Sequence, residues 1–351
     1  MSTPASEPLV ADEGLSIGSL GERGLVSLIR QRFPAPPALL PVGIGDDAAV
    51  AVPARGELEV LTTDCLVEGV HFDLELSSLA DVGYRALAVN ASDVAAMGAT
   101  PRLALLSLIL PVSLTVAGVE AMLDGFAEIA GETGVTLAGG NITTSPGPLI
   151  VDVTLIGSVR PRKVLTRSGG RPGDALYVSG SVGAAAAGLG WLRWHSHQNR
   201  GIPAPDPGLV ACVERYRRPA PRTRLGALLG RGKVASACMD LSDGLADAVA
   251  QLAEASGTGA RIDAGLLPIP QAARQWLSGQ GLDPIRAALA GGDDYELLFS
   301  VSPNRRSRLR TVTQQSRGLP LTRIGELTAS RDIVLGREGG TEPLPEGFTH
   351  F

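Results

Sequence analysis

The chain has 351 residues, 31 basic against 36 acidic side chains, and a net charge of −5. Aromatic residues make up only 4%, which removes the stacking platforms of single-stranded nucleic-acid binders, and the acidic balance opposes a long phosphate-tracking surface. Hydrophobic residues at 44% can fill a core, which excludes whole-chain disorder, and the length predicts two domains.

The first residues, MSTPASEPLVADEG, have neither a basic nor an apolar signal region and read as a flexible tail over 1–15. A helix is predicted around Glu22–Gln31, ended by the Pro-rich PAPPALLP. Two β-like runs follow, Ala48–Val52 and Glu59–Thr63, each next to an aspartate-bearing turn. Ala80–Met97 has helical spacing with Gly98 as its stop. LALLSLILP reads as a buried strand; its apolar stretches fall far short of the roughly 20 residues of a membrane span. From Val116 the apolar positions recur at i, i+3, i+4 and i+7, an amphipathic helix. Strands at Val135–Ala138 and Leu149–Val159 close this half.

The basic, turn-prone RPRKVLTRSGGRPGD places a boundary near residue 160, giving an N-terminal domain over 16–160 and a C-terminal domain over 161–351. The second half reads as a strand (Ala175–Ser179), a small-residue helix (Val182–Trp194), the loop HSHQNRGIPAPDPG and a further helix. A strand (Val234–Asp240), a helix (Ser242–Ser256) stopped by Gly257, and a strand at Tyr295–Val301 follow. Both halves mix strands and helices, so the fold class is α/β or α+β with two domains. Three cysteines without a C-x-x-C pair (Cys65, Cys212, Cys238) argue against zinc or a disulfide framework and predict a cytoplasmic protein.

Carboxylates concentrate in five glycine-flanked or strand-end motifs: GIGDDAAV (43–50), LTTDCLVEGVHF (61–72), NASDVAAMGA (90–99), MDLSDGLAD (239–247) and AGGDDYELLF (290–299). LAGGNITT (137–144) has the same form with an amide in place of the acid. Adjacent aspartates repel unless something positive lies between them. Oxygen ligands without His or Cys clusters point to Mg²⁺, which completes its shell with substrate phosphates, so a nucleotide in an interdomain cleft is expected. The TRSGG turn (166–170) offers Arg167 to the same phosphates.

Known nucleotide motifs are absent. GRGKVAS lacks the first glycine of a P-loop and the hydroxyl after Lys233. No kinase HRD loop is present. GIGDDA satisfies the dinucleotide fingerprint in letters only, because a Pro-rich loop precedes it and a Pro-terminated run follows.

In this order, GIGDDAAV, TTDCLVEGVHF, ALAVNASDVAAMGATP, TRSGGRPGD, DLSDGLADAV and GGDDYELLF resemble the thiamine-monophosphate kinase family, from about residue 20 to Phe351. That family sits in a wider group with aminoimidazole ribonucleotide synthetase, selenophosphate synthetase and the hydrogenase-maturation dehydratase. The resemblance implies an ATP-binding N-terminal α/β domain that dimerises through its sheet, an α+β C-terminal domain, and direct transfer of the ATP γ-phosphoryl to thiamine phosphate. It implies Mg²⁺ ligands at Asp47, Thr62, Thr63, Asp64, Asp93, Asn141, Asp240 and Asp243, of which Asp64, Asp93 and Asp243 are the catalytic carboxylates. ATP contacts are implied at Gly140, Asn141, Arg167 and Ser242, and substrate contacts at His71 and Asp293. Several Mg²⁺ ions with ATP as co-substrate, and K⁺ as a further candidate, follow from the resemblance, as does a homodimer without nucleic-acid or membrane partners.

Three positions depart from the family pattern. Asn141 stands where many members have Asp, Asp293 replaces a more usual Glu, and Pro345 lies where an aromatic often covers the thiamine rings, with Phe348 or Phe351 as substitutes. No cysteine precedes Cys65, which opposes the selenophosphate branch. His195 and His197 read as a solvated loop, Cys65 as a packed small residue, and Asp46, Asp294 and Glu296 as supporting rather than ligating. Two alternatives remain open at this point: an ATP-dependent amidine-forming synthetase, distinguished by phosphate release, and a silent Mg-nucleotide-binding dimer.

Overall fold

The computed structural model describes residues 15–34, 36–197 and 206–347. The predicted tail, apart from Leu15, and both Phe348 and Phe351 lie outside the described residues.

The N-terminal half contains α1 (Ile17–Arg32), β1 (Leu58–Val67), α2 (Leu79–Ala96), β2 (Thr100–Pro111), α3 (Val116–Thr133), β3 (Thr136–Ser145) and β4 (Ile150–Val159). The helix expected at Glu22–Gln31 forms the longer part of α1: Gly21, at φ 71° and ψ 169°, separates it from a first turn that Ser16 caps by accepting from Ser19 N–H. The run Ala48–Val52 is not a strand; only Val50 bridges, to Val42, since the prolines on either side deny it a ladder partner. The four strands order as β1-β4-β2-β3, with β2 and β3 parallel and the other pairs antiparallel. Val151, Val153 and Leu155 alternate along β4 toward the core.

Ser78 and Asp81 form a capping box that starts α2. The helix crosses α3 at almost backbone contact. A Cβ on Gly83 would lie 1.8 Å from Met122 O, and one on Gly125 would lie 1.8 Å from Ala80 O, so both crossing points require glycine. This approach buries α2 on nearly every side and makes it the rigid element on which the cleft is built.

The C-terminal half contains β5 (Ala175–Ser179), α4 (Ala184–Ser196), α5 (Pro207–Arg217), α6 (Thr223–Gly232), β6 (Ala237–Asp240), α7 (Leu245–Ser256), β7 (Gly259–Asp263), α8 (Gln271–Gly279), α9 (Pro284–Ala290), β8 (Leu297–Val301), α10 (Arg306–Gln315), β9 (Leu321–Thr328), β10 (Ile333–Arg337) and β11 (Gly340–Pro343). Its seven strands order as β11-β10-β7-β9-β5-β8-β6. β5 falls where the sequence predicts it, and Gly257 ends α7 in a left-handed cap at φ 67°. The two halves meet on α2: Ala95 and Ala96 pack with Leu225, Leu229 and Phe299, and a Cβ on Gly226 would lie 2.0 Å from Ala95 O.

Candidate active site

A cavity of about 840 Å³ opens between the two halves. It is lined by Asp64, His71, Asp93, Arg167, Asp240, Ser242, Asp243 and Asp293, eight predicted site residues from four of the five acid motifs and the TRSGG turn.

Asp64 and Cys65 lie on β1, whose antiparallel register sets Asp64 beside Val153 and Cys65 beside Asp152. Cys65 is exposed and lines the cleft, not packed as expected, because strand alternation turns it away from the neighbouring Leu66, which is buried. α2 supplies Asp93, which accepts from Thr62 Oγ1 at 2.5 Å. One turn edge away, Ser92 Oγ donates to Asp240 Oδ2 at 2.7 Å. Asp240 ends β6 and is buried. Ser242 and Asp243 follow in the turn before α7, which Gly244 makes possible at φ 104°.

These carboxylates crowd one another. Burial first, then the charges of Asp93, Asp152 and Asp243, push the Asp64 carboxyl up to about 7. Burial also raises Asp93, against the pull of the Thr62 hydrogen bond and the Arg167 charge. Asp240 is raised by burial and by Asp93. Arg167 is exposed at the rim, where Nη1 donates to Gln251 Oε1 at 2.5 Å. His71 accepts from Val67 N–H through Nδ1 at 3.1 Å, which places the proton of the neutral ring on Nε2.

Asp293 lines the same cavity beside Ser242. Its φ of 70° and that of Tyr295, 47°, are left-handed, a conformation that costs a non-glycine residue about 1–3 kcal/mol. The strain is held by Asp293 N–H donating to Ser242 O at 2.8 Å and Tyr295 N–H to Leu241 O at 2.9 Å. Between them Asp294 accepts from the amides of Gly183 and Ala185 at the start of α4. Glu296 accepts from Arg215, Arg222 and Ser179 Oγ. Both carboxylates therefore hold the loop and helix in place, as the sequence reading expects of supporting residues.

Other predicted positions lie elsewhere. Asp47 sits in the turn after α1, its amide bonded to Asp46 Oδ1 at 2.9 Å, and does not line the cavity. Thr62 reaches the cleft through Asp93, and Thr63 Oγ1 contacts Asp152, Val153 O and Thr154 on the sheet face. Gly140 and Asn141 are on β3, at the opposite sheet edge from β1. His195 and His197 are exposed, as the sequence predicts, but His195 belongs to the last turn of α4 rather than a loop, its ring stacked on Trp191 at 4.7 Å, and His197 lines the cavity from the turn that follows.

Two residues that act on the cleft escape sequence reasoning, one lining it and one beside it. Arg85 is buried on α2 and donates Nη2 to Asp293 Oδ1 at 2.5 Å and Nη1 to Tyr216 O at 2.8 Å, with its guanidinium 5.0 Å over the Tyr216 ring. Its signal was the one cation within α2. Asp152 raises Asp64; its signal was a lone acid in the apolar run of β4.

Among the described residues no group of three or more His, Cys, Asp or Glu side chains is arranged to hold a metal ion, and no helix is long and apolar enough to cross a membrane.

The family description "AIR synthase related protein, N-terminal domain" matches residues 45–159, and "AIR synthase related protein, C-terminal domain" matches residues 171–337. Thiamine-monophosphate kinase of Escherichia coli (strain K12) is 37% identical over 333 residues, covering 94% of this chain and 98% of the relative. The crystal structure of thiamine-monophosphate kinase from Stenotrophomonas maltophilia K279a superposes with a TM-score of 0.78 at 38% identity, over 89% of this chain and 95% of that one. A structure of AaThiL complexed with AMPPCP and TMP superposes with a TM-score of 0.73 at 33% identity, over 97% and 100%. With these matches along nearly its whole length, and with the acid motifs meeting in one cleft, the chain belongs to the thiamine-monophosphate kinase family.

Proposed function

We propose that the protein transfers the γ-phosphoryl group of ATP directly to the phosphate of thiamine phosphate, giving thiamine diphosphate and ADP. The observation that carries this reading is the meeting of eight predicted residues, including five carboxylates, in one cavity between the two halves. The relative complexed with AMPPCP and TMP supports it.

The acceptor phosphate monoester has a second pKa of about 6 and is mostly dianionic at neutral pH, so no general base is required. The task is to bring two anions into line and offset their repulsion. Arg167 offers a guanidinium at the cavity rim for phosphate oxygens. Ser242 adds a hydroxyl for the nucleotide. His71 and Asp293, which line the same cavity, bind thiamine phosphate; Arg85 occupies one oxygen of Asp293 and leaves the other for the substrate. Hard oxygen donors raised by burial and then by one another's charges suit Mg²⁺, which takes few protein ligands where substrate phosphates complete its shell. Asp64, Asp93, Asp240 and Asp243 would hold it within the cleft, and Asp47, Thr62, Thr63 and Asn141 complete the ligand set that the family resemblance implies. Bound there, Mg²⁺ supplies charge neutralisation for both phosphates.

The same reading divides the chain at residues 160 and 161, and has it act as a homodimer through its four-stranded sheet in the cytoplasm. Exposed Leu58, Leu61 and Leu105 on that sheet support the dimer, and Gly140 with Asn141 at the far sheet edge would then act in a site shared between copies. Three free thiols support a reducing compartment.

A product assay tests the reading. With Mg-ATP, thiamine phosphate should give equal amounts of thiamine diphosphate and ADP, while other phosphate acceptors give neither. Release of inorganic phosphate, or substrate binding without product, would overturn it.

A further inference from the structure

The connector RPRKVLTRSGGRPGD carries more positive charge than the cleft uses. Arg167 enters the cleft, whereas Arg162, Lys163 and Arg171 line a second cavity of about 400 Å³ together with Lys233 and Arg305. The two cavities share no lining residue. Five cations therefore face one cavity in a chain whose acids outnumber its bases.

Two of the five have local partners. Lys163 Nζ donates to Arg231 O at 2.6 Å and Arg305 Nη1 to Ala235 O at 2.9 Å, satisfying carbonyls at and beyond the C-terminal end of α6. Arg162, Arg171 and Lys233 have no side-chain partner among the described residues. Arg162 and Lys233 are held at φ 66° and 49°, left-handed conformations uncommon for side chains of this kind. The single carboxylate, Asp174, is buried and accepts from Ser236 Oγ at 2.6 Å and Arg171 N–H at 3.2 Å. The string GRGKVAS, which fails as a P-loop, supplies Gly230, Lys233, Ala235 and Ser236 to this cavity.

We propose that this cavity is a second anion site, separate from the cleft, that takes a diphosphate group. Three unpartnered cations around a small concavity match the charge of a diphosphate better than that of a single phosphate. The lining has no aromatic side chain, so recognition falls on the anion rather than on a ring. Its confinement and the acidic balance of the chain oppose an extended nucleic-acid track. The site stands independently of the reaction assigned to the cleft.

The test uses the full chain with Mg²⁺ chelated and inorganic diphosphate as the probe, followed by calorimetry. Wild type and Arg167→Gln should bind with equal affinity. The double variant Arg171→Gln/Lys233→Asn should bind about tenfold more weakly or worse, with Asn chosen because it tolerates the left-handed backbone. The single variants Arg162→Gln and Arg171→Gln, at exposed side chains, give smaller losses and keep the test decisive if the double variant unfolds. ADP and thiamine diphosphate form further arms: a matching loss assigns the site to a carried diphosphate, and a loss confined to the inorganic probe assigns it to the free anion. Absence of binding to wild type, undiminished binding to the variants, loss in Arg167→Gln, or binding of an oligonucleotide but not diphosphate would each overturn the proposal.

Discussion

Glu296 and Asp64 are both acids of glycine-flanked motifs, and their surroundings are opposite. Glu296 is almost wholly buried and is met by Arg215, Arg222 and Ser179. Asp64 is half-buried and is met by Asp93, Asp152 and Asp243. The first arrangement closes its charge within the chain and serves stability, while the second leaves charge that only a ligand can balance. Compensation, more than depth or motif, separates structural carboxylates from those that act on a substrate.

The largest effect should come from breaking the closed arrangement. Glu296→Ala leaves the half-buried Arg215 and Arg222 without this counter-charge and should cost about 3 kcal/mol of stability or more, read from the denaturant midpoint. A loss near zero would show that the network is not closed by Glu296.

Asp64→Asn tests the open arrangement. Removing one of several repelling charges should lower turnover a hundredfold or more, about 3 kcal/mol, without lowering the melting temperature. Wild-type turnover would remove Asp64 from the reaction, and a fall in melting temperature would show that it is structural like Glu296.

His71→Ala should raise the KM for thiamine phosphate about tenfold, roughly 1.4 kcal/mol, and change that for ATP little. An equal effect on both substrates would misplace His71.

A pH-dependent effect concerns Asp294, which lies between the two types. It accepts from the Gly183 and Ala185 amides and lies near Arg215, Glu296 and Cys212, yet burial lifts its carboxyl from 3.8 to about 7. From about pH 4 to 7 the folded chain keeps a proton that the unfolded chain has lost. Its contribution to stability therefore falls as pH rises through that window and is constant above it. Asp294→Asn should remove about one proton's worth of that slope, measured as unfolding free energy against pH relative to wild type. Unchanged slopes would show that Asp294 is ionised throughout.

Much of the fold was legible because its signals are local. α3 shows its helical period, β5 is an apolar run between turn residues, and Gly257 marks a helix end. Ala48–Val52 misled because a β-like composition has no partner strand there. In the site, Asp64, Asp93, Asp240 and Asp243 were legible as acids in glycine turns and at element ends. Arg85 and Asp152 were missed because each sits inside a regular element, away from the glycine turns and element ends that mark the other site residues. The departures at Asn141 and Asp293 look alike in sequence but differ in space: Asp293 meets Arg85 in the cleft, whereas Asn141 lies across the sheet.

The sequence by itself determined the inventory: an excess of acids gathered into five motifs, two mixed halves joined by a basic connector, and the family likeness those motifs carry. Tertiary structure alone decided which acids face one another and which are answered. Charge interactions depend on distance and burial, and those were set when Gly83 and Gly125 let α2 press against α3 and when Gly226 brought α6 against α2. The same packing divided the cations, sending Arg167 to the cleft and leaving Arg162, Arg171 and Lys233 around a cavity of their own.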